Sequence, residues 1–261
     1  MPGGNCGRVP NRWAMPDWLR LLDGAAAHPT VVVVAHTFIR AWPSASRPVL
    51  LACDDGSQYV VKAAQAGRMV ANDQMVGHLG EMAGCPTGRP MIVDVPAELI
   101  AIEPQMQHMI AGPAHGSSWV ADCSEREGVA HIDVAENRPR FAALAGLFGW
   151  VGGSDHQFIY RNEPPRLVYS VDHGHIFPNG PDWTEASLAG TAAPGYLPDL
   201  VASCRLTQQE LEAASPPFAG LSDEDIANAV AAPPDVWGLA REERIAVLRY
   251  LVERRDAMFK T

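Results

Sequence analysis

An α+β fold, with strands gathered in the first part of the chain and helices in the last, is predicted by three observations. Residues 30–62 hold β-rich runs broken by a tight turn, one run with helical spacing follows them, and beyond Trp183 the chain carries three more helical stretches. With 261 residues, 47% of them hydrophobic, the chain can bury a substantial core as one large domain or two closely packed lobes.

Each element has its own signal. Thr30 to Trp42 and Pro48 to Cys53 are β-rich, and Asp54-Asp55-Gly56-Ser57 ahead of Gln58 to Lys62 marks a hairpin, because glycine takes positive φ without strain. Met69 to Ala83 places Met69, Val70, Met75, Val76, Leu79 and Met82 at helical spacing, and Gly84-Cys85-Pro86 stops it. A strand over Met91 to Val95 follows. Gly112 to Ser118 is rich in turn residues and reads as a loop. A boundary near Gln105 then divides the chain into an N-terminal extension (1–29), a β-rich lobe (30–104) and a mostly helical lobe (105–261).

Pro139 to Trp150 reads as a buried helix, with Phe141, Leu144, Ala145 and Phe148 on one face. Phe158 to Tyr160 and Leu167 to Val171 form a short hairpin, which Asp155 enters and Asp172 leaves, so both acids can face one cleft. Thr207 to Ala214, Ser222 to Ala231 with its S-x-x-D start, and Ala240 to Phe259 complete the helices.

Composition excludes several functions. Thirty acidic against 20 basic residues, a net charge of -10, argues against a general nucleic-acid binder, whose phosphate neutralisation needs clustered Lys and Arg. Any phosphate site must build its positive charge locally. Five cysteines without a C-x-x-C pair fit neither a disulfide framework nor a zinc cluster, and reduced thiols are expected. The longest apolar run, Val31 to Ala35, is too short to span a membrane, and the first residues lack the apolar core of a signal peptide. A soluble, cytoplasmic protein is expected.

The chemistry concentrates in three places. Val171-Asp172-His173-Gly174-His175-Ile176-Phe177 puts a carboxylate at the end of an apolar strand before a flexible turn. Asp155 lies in Gly152-Gly153-Ser154-Asp155-His156-Gln157, and Lys62 ends Tyr59-Val60-Val61-Lys62. Phosphoryl transfer needs a cation on the phosphates, a metal across them and an acid orienting the nucleophile, and Lys62, Asp172 and Asp155 suit those roles in that order. Singly, each has a plainer reading: a solvated strand-end lysine, a turn aspartate, a loop acid. His115, His156, His173 and His175 lack zinc-site spacing, and His156 and His173 are expected to bond the backbone around the two acids. Ser117 and Ser118 lack a nucleophile elbow, and the seven tryptophans, Trp150, Trp183 and Trp237 among them, read as packing residues.

The stretch VDHGHIF resembles the IDFGHIF element of phosphatidylinositol kinases, and the whole arrangement is similar to the HipA-like kinase domains of bacteria. The similar features are Tyr59-Val60-Val61-Lys62, the helix opening Asn72-Asp73, the Gly112 to Ser118 segment, Asp155, Val171-Asp172-His173-Gly174 and the late Pro233-Pro234-Asp235-Val236-Trp237. The resemblance implies a bilobal protein-kinase-like fold with ATP between the lobes and Mg2+ as cofactor. Lys62 would then contact the α- and β-phosphates and pair with Asp73, with Glu81 in reserve. Asp155 would position the acceptor hydroxyl and Asp172 would hold metal.

Two departures stand out. The family places a metal-binding Asn five residues after the catalytic Asp, where this chain has Tyr160, so Gln157 or Asn162 is left to supply an amide oxygen. In place of a glycine-rich loop stands Trp42-Pro43-Ser44-Ala45-Ser46-Arg47-Pro48, where Ser44, Ser46 and Arg47 can offer backbone amides and a guanidinium. Gln105, at the boundary, completes the nucleotide-binding set. The acceptor, a protein or a small molecule, is not specified by the resemblance. A nucleotide-binding pseudokinase acting as an interaction module and an AMP transferase are the alternative readings.

Overall fold

Alternating apolar residues close the first strands into a barrel in the computed structural model, which describes residues 17–26, 31–124, 128–153 and 155–260. Helix α1 (Trp18–Ala26) precedes β1 (Val32–Ala41), β2 (Val49–Cys53) and β3 (Gln58–Lys62); α2 (Met69–Met82), β4 (Pro90–Val95), α3 (Ala97–Ile102) and β5 (Gly112–Ser118) follow. The strand order is β1-β2-β3-β5-β4, closed by a parallel β1–β4 pairing. Val49, Leu51, Cys53, Tyr59, Val61, Met91, Val93 and Ala114 fill the interior. Their neighbours in sequence point outward, as strand alternation requires. Gly56 takes φ 78° in the predicted β2–β3 turn, where Asp55 accepts a hydrogen bond from the Ser57 amide.

Gly112 to Ser118, expected as a loop, is strand β5, paired with β3 on one side and β4 on the other. Small residues serve the pairing here: a Cβ on Gly116 would lie 2.6 Å from a Val93 methyl. Residue 105 lies exposed in the connection between β4 and β5. The segment joining those strands plugs one end of the barrel with Leu99, Met106 and Met109.

The remaining described elements are α4 (Asn137–Val151), β6 (Gln157–Tyr160), β7 (Val168–Val171), α5 (Glu185–Ala189), α6 (Pro198–Ser203), α7 (Gln208–Ala214), α8 (Pro216–Gly220), α9 (Asp223–Ala231) and α10 (Arg241–Phe259). A second core unites Phe141, Leu144, Phe148 and Trp150 of α4 with Leu248 and Leu251 of α10. Helix α2 adds Val70, Met75 and Leu79 to this core, so it packs against the helical part while lying on the outside of the barrel. Thr207 and Ser222 cap α7 and α9 as their sequences predict. Buried Arg254 is satisfied by the carbonyls of Trp150 and Gly149.

Of the 1–29 extension, α1 is described and packs on α9; residues 1–16 and 27–30, with Thr30 and Cys6 among them, lie outside the described residues. Cys53, Cys85, Cys123 and Cys204 are unbridged. Among the described residues no helix is long and apolar enough to cross a membrane.

Candidate active site

Lys62 closes β3 on the outer face of the barrel, because Tyr59 and Val61 point in and Val60 and Lys62 alternate with them. Helix α2 passes over that face. Lys62 Nζ lies 2.8 Å from Asp73 Oδ2 on α2 and 2.5 Å from Asp172 Oδ1, just past β7. The side chains of Lys62 and Asp73 are 5% and 3% exposed, and that of Asp172 is 15% exposed. Burial opposes the Lys62 charge, but attraction to Asp73 and Asp172 outweighs it and raises the ammonium pKa. Burial likewise opposes ionisation of Asp73, and Lys62 and then His115 overcome it, holding that carboxyl below the usual range. One ammonium facing two carboxylates leaves a net negative charge beside Asp172, an environment that favours an added cation.

Neighbouring groups fix both acids. Asp73 Oδ1 accepts from the His173 amide at 2.6 Å, Asn72 Nδ2 donates to the Gly174 carbonyl at 2.8 Å, and Trp183 Nε1 donates to Asn72 Oδ1 at 3.0 Å. The Arg68 guanidinium stacks 4.1 Å over Trp183 and pairs with Glu243 at 2.9 Å. A Cβ on Gly174 would come within 2.9 Å of Met69 Cβ, so the turn can approach α2 closely only with glycine there. Asp172 itself takes φ 64°, a left-handed conformation that Asp tolerates better than bulkier residues.

His115 sits opposite Lys62 across the β3–β5 pair and hydrogen-bonds Gln74 Oε1 at 2.7 Å; Gln74 Nε2 then meets His78 Nε2 at 3.0 Å. Burial pushes His115 and His78 down to about 4, so both are neutral near pH 7 and leave the site's charge to Lys62 and the acids. The His173 ring, also pushed down by burial, bonds the Ser170 side chain at 2.9 Å in place of the expected backbone bond, and the His156 ring stacks on Phe148.

Gln157 pairs with Val171, one residue before Asp172, and its Oε1 is buried without a hydrogen-bond partner. An orphaned amide oxygen on the strand that pairs with the one leading into Asp172 is of the kind Mg2+ accepts, since that ion takes one or two protein oxygens and completes its shell with waters and phosphates. Such a site needs no larger donor set, and among the described residues no group of three or more His, Cys, Asp or Glu could hold a metal. Asp155, two residues earlier, is exposed. Its loop is held against the Asp172 turn, because a Cβ on Gly153 would overlap the Ile176 carbonyl. Ser154 lies outside the described residues.

Asn162 is not at this centre. Strand β6 runs away from Asp172, which leaves Asn162 roughly 16 Å along the hairpin from Gln157 at strand rise, where its backbone amide donates to the Asp122 carbonyl. Tyr160, at the position of the family's Asn, is fully buried and donates its hydroxyl to the Gly128 carbonyl. Glu81, held in reserve for Lys62, instead lies 3.5 Å from Arg89.

The remaining predicted nucleotide contacts fall elsewhere. Ser44, Ser46 and Arg47 lie in the β1–β2 connection, and Arg47 and Gln105 together line a cleft of about 410 Å³ with Ala41, Trp42, Pro43, Pro104, Gln107 and His108. Lys62, Asp73 and Asp172 do not line it. The Asn72 clamp and the His115–Gln74–His78 chain escape the sequence reading: the sequence marks Asn72 only as a helix opening, and His115 stands in a stretch of loop-like composition.

A strand-end lysine held between an acid of the next helix and an acid following a hairpin, on an α+β kinase-like fold, defines a protein of the kinase class. The chain belongs to the HipA-like kinase family, whose model matches residues 36–173, more than half of its length. Family membership supports a kinase-type phosphotransferase. Among solved structures, the Helicobacter pylori proinflammatory kinase CtkA shares the fold at 8% identity, with a TM-score of 0.54 over 89% of this chain and 96% of that one. The Golgi casein kinase with Mn/ADP bound matches at 12% identity and a TM-score of 0.46, over 92% of this chain and 75% of that one. No curated protein sequence matches the chain.

Proposed function

We propose that the chain is an ATP- and Mg2+-dependent phosphotransferase acting on a hydroxyl of a protein or small-molecule acceptor. The observation that carries this reading is the buried Lys62 ammonium held between Asp73 and Asp172. Lys62 binds the α- and β-phosphates, and Asp73 keeps it charged and oriented. Asp172 and Gln157 would hold Mg2+, which would neutralise charge on the phosphates. Asp155 orients the acceptor hydroxyl and takes its proton as the oxygen attacks the γ-phosphorus and ADP leaves. ATP lies between a barrel lobe ending at Ser118 and a helical lobe beginning after it, and the reaction draws on cytoplasmic ATP.

Calorimetric titration with Mg2+ and a non-hydrolysable ATP analogue, paired with a turnover assay on γ-labelled ATP, tests the reading. Lys62→Ala should weaken binding by about tenfold or more, as loss of one charge-assisted contact does. Asp172→Ala should abolish Mg2+-dependent turnover, and Asp155→Ala should leave binding near wild type while turnover is lost. Wild-type behaviour in both Lys62→Ala and Asp172→Ala would overturn the proposal. Tyr160 and the glycine-free 42–48 connection favour one second reading, a pseudokinase, which binds the analogue in the same titration and transfers no label.

A further inference from the structure

The cleft between the β1–β2 connection and the segment that plugs the barrel has no part in the reading above. Its polar lining is Arg47, Gln105, Gln107 and His108, and no carboxylate side chain lines it. In a chain of net charge -10, a lining with one guanidinium and no carboxylate favours an anion. Arg47 is exposed, and among the described residues it has no ion pair. Its backbone is nonetheless fixed: the residue takes φ 42°, its amide donates to the Ser44 carbonyl at 3.0 Å, and its carbonyl lies 2.8 Å from His108 Nε2. A guanidinium rooted in a hydrogen-bonded turn, with the Gln105 side chain lining the same cleft, can hold a small anion with little ordering cost.

Position separates this cleft from the Lys62 centre while keeping it close. Strand β4 runs parallel to β1, and β3 is antiparallel to both β2 and β5, so β1, β3 and β4 all end at the same mouth of the barrel. Lys62 ends β3 there but faces outward toward α2, whereas the cleft lies where the plug bearing Met106 and Met109 meets the β1–β2 connection. Val49 pairs with Val61, which sets the base of that connection beside the end of β3.

We propose that this cleft is a second anion site, which receives a phosphate or carboxylate group borne by the phosphoryl acceptor, so that the acceptor is itself anionic. The acceptor half of this inference rests on the kinase reading; the anion site does not.

Inorganic phosphate is the probe. The protein, labelled in its histidine rings, is titrated while the His108 resonance, identified among nine histidines by its loss in His108→Gln, is followed. Saturable movement of that resonance is expected in the wild type. Arg47→Ala should weaken the apparent affinity by about tenfold, the scale of one charge-assisted bond. Gln105→Glu, which adds a like charge without altering the turn, should weaken it similarly. Repeating the titration with Mg2+ and a non-hydrolysable ATP analogue present decides the source of the anion. Phosphate affinity within about threefold of the nucleotide-free value supports an acceptor site, whereas loss of phosphate binding by tenfold or more assigns the cleft to the nucleotide's own phosphates and overturns the acceptor. No saturable movement, or an unchanged affinity in both variants, overturns the site itself. Failure of the kinase reading would show separately, as no heat from the analogue while phosphate still binds.

Discussion

The Lys62 centre and the β1–β2 connection stand at the same end of the barrel and are built in opposite ways. At Lys62 the described charges are internally paired, and α2 is tied to the 172–183 segment through Asn72, Asp73 and Arg68. At the β1–β2 connection Arg47 is exposed and Ser44 Oγ has no partner. The first arrangement is preorganised by the protein itself; the second leaves an exposed guanidinium whose partner would come from a ligand. Preorganised charge is worth most where charge develops in a reaction, and open donors suit recognition.

The largest effect that would sharpen this contrast comes from Lys62→Met. It leaves two carboxylates facing each other in a buried site, and unfolding in urea should show a loss of about 3–5 kcal/mol. A loss below about 1 kcal/mol would mean the pair is far more hydrated than its burial indicates. Asn72→Ala removes the bonds to the Gly174 and Gly180 carbonyls and strands the buried Trp183 indole N–H. Chemical unfolding should report a loss of about 1–3 kcal/mol, and near-ultraviolet dichroism should register the changed Trp183 environment.

Acid should act on the paired centre in two windows. His115 has a folded pKa of about 4, below its ordinary 6.5, so the unfolded chain binds the proton more readily. Its contribution to stability is complete above about 6.5 and is lost as pH falls toward about 4. Asp73, lowered by its partners, holds its contribution above the ordinary carboxylate pKa and loses it only below that value. His115→Gln should therefore make the fall in stability between pH 6.5 and 4 shallower, with His78 and His173 still contributing to it, and leave the more acidic limb in place, as urea midpoints measured across pH will show. The smallest effect belongs to the open region: Ser44→Ala removes a hydroxyl without a partner and should change stability by no more than about 0.5 kcal/mol.

Much of the paired centre is legible in the sequence because its residues stand at element ends. Lys62 closes an alternating run, Asp73 lies on the first clear helical stripe, and Asp172 follows an apolar strand. Strand β5 is hidden because glycine, proline and serine signal turns locally, while its place in the barrel depends on partners far away in sequence. Gln157 and Asn162 are equivalent as amide donors on paper; only the direction of β6 separates them. The grouping of Arg47 with His108 depends on barrel closure, which no local pattern encodes.

The most direct measurement is a crystal structure with Mg2+ and a non-hydrolysable ATP analogue. The account predicts Lys62 Nζ in contact with the α- and β-phosphates, and the metal bound by Asp172 and the Gln157 amide oxygen. A nucleotide bound elsewhere, with Lys62 still enclosed by its two acids and Gln157 Oε1 still without a partner, would contradict it.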